Sequence, residues 1–220
     1  MTDPLRSAPR RVVVLRHGET THNASGVWQG QLDSPLSERG EEQARAAGVA
    51  VAALHPTRVV SSDLVRARLT GESVAAAAGV PITLDPRFRE IHAGAWQGLT
   101  NVQIGERWPQ ERAAVLRGED IPRGGDGESM ADVRARVAEA LEEHLAGLDA
   151  GECLVVSTHG AAGRAAVGWL LGLDQTVAWR VLGALGNCHW GELVEGREGW
   201  RLATWNASSG VPSRGEYTPP

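Results

Sequence analysis

Two histidines in this chain follow short apolar runs, and each is itself followed by a glycine. Arg16 and His17 come after residues 12–15, and His159 comes shortly after residues 154–156. Short runs of mostly β-branched residues between polar ones predict buried strands. Ligands of open α/β sheets bind beyond the carboxyl ends of the strands, so we expect both imidazoles at one site. A neutral imidazole can attack phosphorus, and an arginine beside it binds phosphate oxygens.

A further cation lies near the start of a predicted helix. Ser62 and Asp63 are expected to cap this helix and Gly79 to end it, which places Arg66 in its first turn. A positive side chain there opposes the helix macrodipole unless an anion binds at the same end. We therefore expect Arg66 to share an anion site with Arg16.

Together these residues predict phosphoryl transfer. The guanidinium groups of Arg16 and Arg66 would neutralise a tetrahedral dianion, and His17 would accept the phosphoryl group. A protonated His159 would stabilise the equatorial oxygens as charge spreads over them. The leaving alkoxide then needs a proton from a carboxylic acid, and no step needs a metal or another cofactor. A metal site of His17, His159 and Glu90 is an alternative, but the two arginines would repel the ion.

Composition argues against several other classes of protein. The chain has 220 residues, enough for one domain with a sizeable core, and a net charge of −5. That charge argues against binding to nucleic acid or to an anionic membrane surface. Cys153 and Cys188 fit neither a disulfide framework nor a metal motif, and the chain starts without an apolar signal segment. We expect a cytoplasmic protein that acts on a small molecule, and a homodimer is left open.

The predicted elements alternate between strands and helices, which is typical of an α/β fold with a mostly parallel sheet. Residues 11–206 are expected to form a single domain, with a loose leader at 1–10 and a flexible tail at 207–220. We predict strands at 12–15, 58–61, 82–84 and 153–157, and a hairpin of 188–195 with 200–206. We predict helices at 37–54, 63–79, 101–116, 129–148, 161–171 and 176–182, and the third of these is expected to break at Pro109.

Two segments lack these periodic patterns. Residues 18–35 form a long polar loop, and loops of that length are usually functional. Residues 117–127 are predicted to be a flexible connection of mixed charge. The arginines in and before this connection are interpreted as surface charges: Arg107, Arg112, Arg117 and Arg123.

Several ordered motifs between residues 11 and 206 resemble those of the histidine phosphatase superfamily, the phosphoglycerate-mutase-like proteins. The motifs are Arg16-His17-Gly18-Glu19-Thr20 with Asn23, Ser61-Ser62-Asp63-Leu64-Val65-Arg66, Arg89-Glu90 with Gly94, Trp96 and Gly98, Gly127-Glu128-Ser129, and His159-Gly160. The resemblance implies a three-layer α/β/α sandwich. It also implies the following roles: His17 as the phosphorylated nucleophile, Arg16, Arg66 and His159 around the phosphate, Asn23 in contact with the phosphoryl group, and Glu90 as the proton donor.

The same motifs favour the phosphatase branch of this family over its mutases. Mutases carry an arginine and a tyrosine where this chain has Ile91 and Ala93. Residues 99–128 also lack a compact basic segment that could hold a second acid group. A cofactor-dependent phosphoglycerate mutase and a non-catalytic module that binds phosphorylated ligands are the alternatives.

A narrower resemblance concerns the substrate. Residues 29–33 and 96–100 resemble an actinobacterial group of the family that includes glucosyl-3-phosphoglycerate phosphatases. The implied substrate is a small polar phosphate ester, and a sugar-bearing phosphoglycerate is one such ester. The candidate substrate-binding residues are Asn23, Gln29, Gly30, His92 and Gly160.

Overall fold

A computed structural model describes residues 8–211, and in this range the chain forms one six-stranded sheet. Along the sheet the strand order is β3-β2-β4-β1-β5-β6. Strands β1 to β4 run parallel, whereas β5 is antiparallel to β1 and β6 is antiparallel to β5. The predictions of a mostly parallel sheet and of a C-terminal hairpin are confirmed. The strands are β1 (Arg11–Arg16), β2 (Arg58–Ser61), β3 (Ile82–Leu84), β4 (Cys153–Thr158), β5 (Trp190–Gly196) and β6 (Gly199–Ala207).

The helices agree with the predicted ones to within a few residues at most ends. Ser37 and Ser129 cap their helices through their hydroxyl groups, and Gly79 ends another in the left-handed conformation, with φ of 69°. The helices are α1 (Thr21–Ala24), α2 (Glu38–Ala52), α3 (Val65–Ala78), α4 (Asn101–Arg107), α5 (Pro109–Leu116), α6 (Met130–Ala146), α7 (Gly160–Leu170) and α8 (Gln175–Val181).

Two local predictions were wrong. Ser62 and Asp63 do not cap helix α3, because the Asp63 carboxylate binds Arg89 and the Ser62 hydroxyl lies against His159. The first N–H of the helix, that of Val65, donates instead to the Asp33 carboxylate. The polar loop at 18–35 contains α1, whose first turn is closed by reciprocal hydrogen bonds between Thr20 and Asn23. Ser62 and Asp63, which the sequence pattern predicts to cap a helix, thus contact residues beyond the ends of other strands, His159 and Arg89.

The alternation of side chains along β1 separates two core layers. Val12 and Val14 pack into the cluster formed with α6 and α7. Val13 and Leu15 point to the opposite face and pack with residues of α2 and α3. The sheet is therefore covered by helices on both faces, which confirms the three-layer α/β/α arrangement.

At the ends of the described chain, Arg10 donates to the carboxylate of Glu195 and to the carbonyl of Leu145. Ala207 is the last residue of β6. The rest of the predicted leader (residues 1–7) and most of the predicted tail (212–220) lie outside the described residues. Within residues 8–211, no helix is long and apolar enough to cross a membrane.

Candidate active site

The two histidines that follow β1 and β4 lie side by side. Arg16 and Thr158 are paired in the register of these strands, and the His17 N–H donates to the Thr158 carbonyl. The chain then leaves both strands in parallel, so that the ring centroids of His17 and His159 are 5.1 Å apart. Their relative exposures are only 3% and 0%. The parallel pairing of β1 and β4 therefore brings together two imidazoles that are 142 positions apart in the chain.

One ring nitrogen of His17 remains available for chemistry. Its Nδ1 lies 2.7 Å from the carbonyl oxygen of Gly18, and a carbonyl can only accept, so Nδ1 carries the hydrogen. Burial lowers the pKa of His17 well below its usual value, and the charges of Arg66 and Arg16 lower it further. The imidazole is therefore neutral at neutral pH, with the lone pair on Nε2.

Arg16 and Arg66 flank this histidine, and neither forms an ion pair with a carboxylate of residues 8–211. The Arg66 guanidinium donates to the carbonyls of Leu32 and Gly30 at 2.7 Å each, and the Arg16 guanidinium donates to the carbonyl of Leu185. The Nε atoms of both arginines are buried and have no hydrogen-bond partner in the described part of the chain. Burial lowers the pKa of both groups, that of Arg66 to about 10, so both stay charged at neutral pH.

The His159 ring is positioned by Ser62, for which the sequence predicts only a helix-capping role. Its Nε2 is 2.9 Å from the hydroxyl of Ser62, which directly follows β2, and its buried Nδ1 has no protein partner. Burial lowers the pKa of His159 well below the ordinary value, and the charge of Arg66 lowers it further. The expectation of a protonated imidazole is therefore wrong for the ligand-free site, although a neutral ring still offers one N–H donor.

The carboxyl group of Glu90 lies at the start of α7. It accepts hydrogen bonds from the backbone N–H groups of Ile91, Ala161 and Ala162. A Cβ atom added to Gly160 would stand 3.6 Å from this carboxyl and 3.8 Å from the Arg16 Nε, an ordinary contact distance. The helix start and β1 thus hold a carboxyl group within reach of the arginine pair.

These groups open onto one cavity of about 250 Å³. Arg16, His17, Arg66 and Glu90 line it, and His159 lies against His17 behind that lining. Of the candidate substrate-binding residues, the cavity is lined by three: Asn23, Gln29 and Gly30.

The three residues contribute differently. The Asn23 Oδ1 accepts from the Thr20 backbone and from the side chain of Asn187, which also binds the His17 carbonyl. The Gln29 Oε1 is buried without a protein partner. Gly30 has φ of 53° and supplies a carbonyl to Arg66, so a side chain is strained at this position.

His92 is not among the residues that line the cavity, and its prediction as a pocket residue is corrected here. Its backbone N–H donates to the Glu128 carboxylate, and its carbonyl accepts from the Glu128 N–H. The segment after Glu90 is therefore hydrogen-bonded to the loop before α6. Ile91, and not His92, lines the cavity.

The prediction that Arg123 is a surface charge is wrong. This arginine is only 5% exposed and lines the cavity, because the 117–127 segment folds back over it. Asp120 anchors the segment by accepting from the first N–H groups of α6, and the Arg123 N–H donates to the Glu128 carbonyl. No periodic pattern marks this position, and the glycines after it suggested only a loop.

Within residues 8–211, no group of three or more His, Cys, Asp or Glu side chains is arranged to hold a metal ion. The positive charge around His17 is instead supplied by guanidinium groups. The arrangement can bind a tetrahedral anion between Arg16 and Arg66 and present it to a neutral imidazole.

Comparison with known proteins identifies the family. The sequence pattern of the histidine phosphatase superfamily (branch 1) matches residues 12–208. The chain belongs to this superfamily. Glucosyl-3-phosphoglycerate phosphatase of Mycobacterium tuberculosis (strain ATCC 25618 / H37Rv) is 40% identical to it over 222 residues, covering 93% of this chain and 97% of that protein.

A probable mutase and a solved phosphatase structure are also similar to the chain. Probable phosphoglycerate mutase GpmB of Erwinia tasmaniensis is 35% identical over 195 residues, covering 89% of each chain. Among solved structures, a mycobacterial glucosyl-3-phosphoglycerate phosphatase in complex with VO3 superimposes with a TM-score of 0.83 at 38% identity, covering 90% of this chain and 100% of that one. The superfamily thus contains both hydrolases and probable mutases related to this chain.

Proposed function

We propose that this protein is a metal-independent phosphomonoesterase that acts through a phosphohistidine intermediate on a small polar phosphate ester. The observation that carries the proposal is the neutral His17, whose Nε2 is free beside Arg16 and Arg66. A neutral nucleophile next to two unpaired cations is suited to attack a dianion that those cations bind.

The first chemical step transfers the phosphoryl group to the enzyme. The guanidinium groups of Arg16 and Arg66, the amide of Asn23 and one N–H of His159 would hold the nonbridging oxygens. The lone pair on the His17 Nε2 forms the N–P bond while the ester P–O bond breaks. The carboxyl group of Glu90 gives its proton to the departing alkoxide.

In the second step water releases the phosphate. The Glu90 carboxylate, now without its proton, accepts one from a water molecule as that water attacks phosphorus. The N–P bond breaks, and its electron pair returns to the His17 Nε2. Inorganic phosphate leaves, and both His17 and Glu90 regain their initial protonation states.

The experiment is direct trapping of the intermediate. Rapid quenching without acid, followed by intact mass measurement, should show one added phosphoryl group during turnover of p-nitrophenyl phosphate. His17→Ala should show neither the added mass nor turnover, whereas His55→Ala, a histidine outside the cavity, should keep both. Activity should be the same with and without EDTA. A His17→Ala variant within about tenfold of the wild type would exclude His17 as the nucleophile.

For the substrate we propose glucosyl-3-phosphoglycerate, because the mycobacterial relatives are named for it and similarity extends over nearly the whole chain. The test is phosphate release from this compound, from 3-phosphoglycerate and from simple sugar phosphates. A higher kcat/KM for a plain sugar phosphate would leave the chemistry intact and refute this substrate. A cytoplasmic location and a homodimeric assembly stay predictions.

Phosphoglycerate mutase is the second candidate, and two observations favour it. One is the similarity to GpmB. The other is the buried Arg123, because it supplies one cation within residues 99–128, where the sequence shows no compact basic segment to hold the second acid group of a mutase substrate. Ile91 lines the cavity where mutases carry an arginine, so that position adds no charge. Exchange between 3- and 2-phosphoglycerate that requires bisphosphoglycerate and exceeds phosphate release would establish a mutase. Binding of 3-phosphoglycerate without either reaction would instead indicate a non-catalytic module.

A further inference from the structure

Arg123 is a buried cation that the phosphoryl-transfer steps do not use. Among the described residues, no carboxylate forms an ion pair with its guanidinium group, which donates to the carbonyl of Ile121. The charge of Asp120 acts on it from a greater distance. Burial lowers the pKa of Arg123, yet the group stays charged at neutral pH. A buried charge without a direct ion-pair partner is costly, so a ligand carboxylate that pairs with Arg123 would bind favourably.

The position of Arg123 defines which part of a ligand it meets. A second cavity, of about 430 Å³, adjoins the one that contains His17. The two cavities share four lining residues, which mark their junction: Val115, Arg123, Met130 and Trp179. Arg123 therefore lies between the second cavity and the part of the first that contains His17 and Arg66.

The second cavity is suited to a polar molecule with one apolar face. Its lining includes the neutral polar residues Gln175 and Thr176. Charged residues also line it, three of them arginines and two of them acidic: Arg117, Arg123, Arg180, Glu119 and Asp120. The indole ring of Trp179 is held by the Arg164 guanidinium, which lies 3.6 Å from the ring centroid. Flat aromatic surfaces of this kind pack against the C–H faces of sugars, and the neighbouring polar groups can bind hydroxyls.

We propose that the second cavity binds the alcohol part of the substrate, that Arg123 selects esters whose alcohol carries a carboxylate, and that Trp179 contacts a glycosyl group attached to it. This inference rests on the proposed phosphatase function and specifies the substrate class as phosphate esters of glycosylated hydroxy acids. The arginine pairs with the carboxylate through two parallel N–H donors, which a neutral alcohol cannot accept equally well.

The test compares 3-phosphoglycerate with glycerol 3-phosphate. These three-carbon esters differ in having a carboxylate or a hydroxymethyl group at one end. Each is measured as a competitive inhibitor of p-nitrophenyl phosphate hydrolysis, so the comparison does not depend on its own turnover. The wild type should bind the acid more tightly, and Arg123→Met should reduce that preference about 10- to 100-fold while leaving glycerol 3-phosphate within about threefold.

Controls separate a specific role from a structural one. Arg107→Met removes an exposed arginine outside both cavities and should change neither inhibition constant, while Arg123→Lys should restore part of the preference. Equal weakening of both inhibitors by Arg123→Met, or a wild type without preference, would overturn the role of Arg123. A wild type that does not hydrolyse p-nitrophenyl phosphate would instead refute the proposed phosphatase.

Trp179 supplies an independent measurement. Trp179→Ala should raise the inhibition constant of glucosyl-3-phosphoglycerate at least fivefold and leave that of 3-phosphoglycerate within about twofold, because only the first carries a sugar. An equal change for both ligands would refute the contact between Trp179 and the glycosyl group.

Discussion

Charged side chains are arranged differently beside β3 and around His17. After β3, the Asp85 carboxylate accepts from Arg87 and His144, and the Arg87 guanidinium also binds Glu139 and Glu143. In the cavity, by contrast, Arg16 and Arg66 donate only to main-chain carbonyls, and both Nε atoms are buried without a partner.

The difference distinguishes charged groups that stabilise the fold from charged groups that bind a ligand. Carbonyl oxygens fix the direction of a guanidinium group without forming an ion pair, whereas a carboxylate in direct contact neutralises its charge. The Asp85 cluster is therefore complete by itself, and the cavity is completed by an anion. Arg123 belongs to the second kind, which is why we assign it to the substrate.

The largest effect should follow removal of a cavity arginine. Arg66→Leu takes away both the charge and the anchor of the Leu32 and Gly30 carbonyls, and kcat/KM for p-nitrophenyl phosphate should fall on the order of 10³-fold. The matched control is Arg68→Leu on the same helix, whose guanidinium pairs with Glu72 at the surface. That variant should stay within about twofold. Similar losses in the two variants would mean that compensated and uncompensated arginines do not differ in function.

Glu90 tests whether the cavity carboxyl moves a proton or only balances charge. Glu90→Gln keeps the size of the side chain and should lower kcat about 10²-fold for alkyl phosphates, whose leaving groups need a proton. The loss should be much smaller for p-nitrophenyl phosphate, because nitrophenolate leaves without one. If both substrates lost the same factor, Glu90 would act only through its charge on Arg16 and Arg66.

Gly30 tests whether the carbonyl contacts of Arg66 matter. In Gly30→Ala the new Cβ would clash with the Gln97 Oε1, and the displaced loop should lower kcat/KM about tenfold. Gly26→Ala is the control, because φ is also positive there, at 68°, but nothing lies within 4 Å of the added atom. Both variants should lose about 1 kcal/mol of stability from the left-handed backbone, and only Gly30→Ala should lose activity. Full activity of Gly30→Ala would show that the carbonyl position is not critical.

The smallest effect should be at Asp85 and should concern stability alone. Hydrogen bonds from Arg87 and His144 outweigh the effect of burial and lower the pKa of Asp85 from 3.8 to about 2. A lowered carboxyl pKa stabilises the fold above the unfolded-state value, and this contribution disappears as the pH falls from 3.8 towards 2.

At pH 7, Asp85→Asn should therefore reduce the free energy of unfolding by about 1 kcal/mol, a value discounted for solvent screening of the exposed partners. The difference from the wild type in urea unfolding should shrink below pH 4, and activity should not change. Glu139→Gln, an exposed partner of Arg87, should have no measurable effect. A loss of activity in Asp85→Asn would contradict the separation of the two regions.

Strand and helix positions followed from local sequence, because the apolar periodicity of β1 and β4 and the serine caps of α2 and α6 are set by nearby residues. The motifs beginning at Arg16 and ending at Gly160 identified the family. His17 and Arg66 also followed from local sequence, because one directly follows β1 and the other lies in the first turn of α3, whereas the role of Glu90 came from the resemblance alone.

Only the tertiary structure decided which polar loop residues face the cavity. Arg123 and His92 have similar local contexts, each next to loop glycines or small residues, yet Arg123 lines the cavity and His92 does not. The physical reason is that their positions depend on hydrogen bonds between segments far apart in the chain: Glu128 with His92, and Asp120 with the start of α6. The neutral state of His159 has the same origin, because it is set by burial and by arginines from β1 and α3.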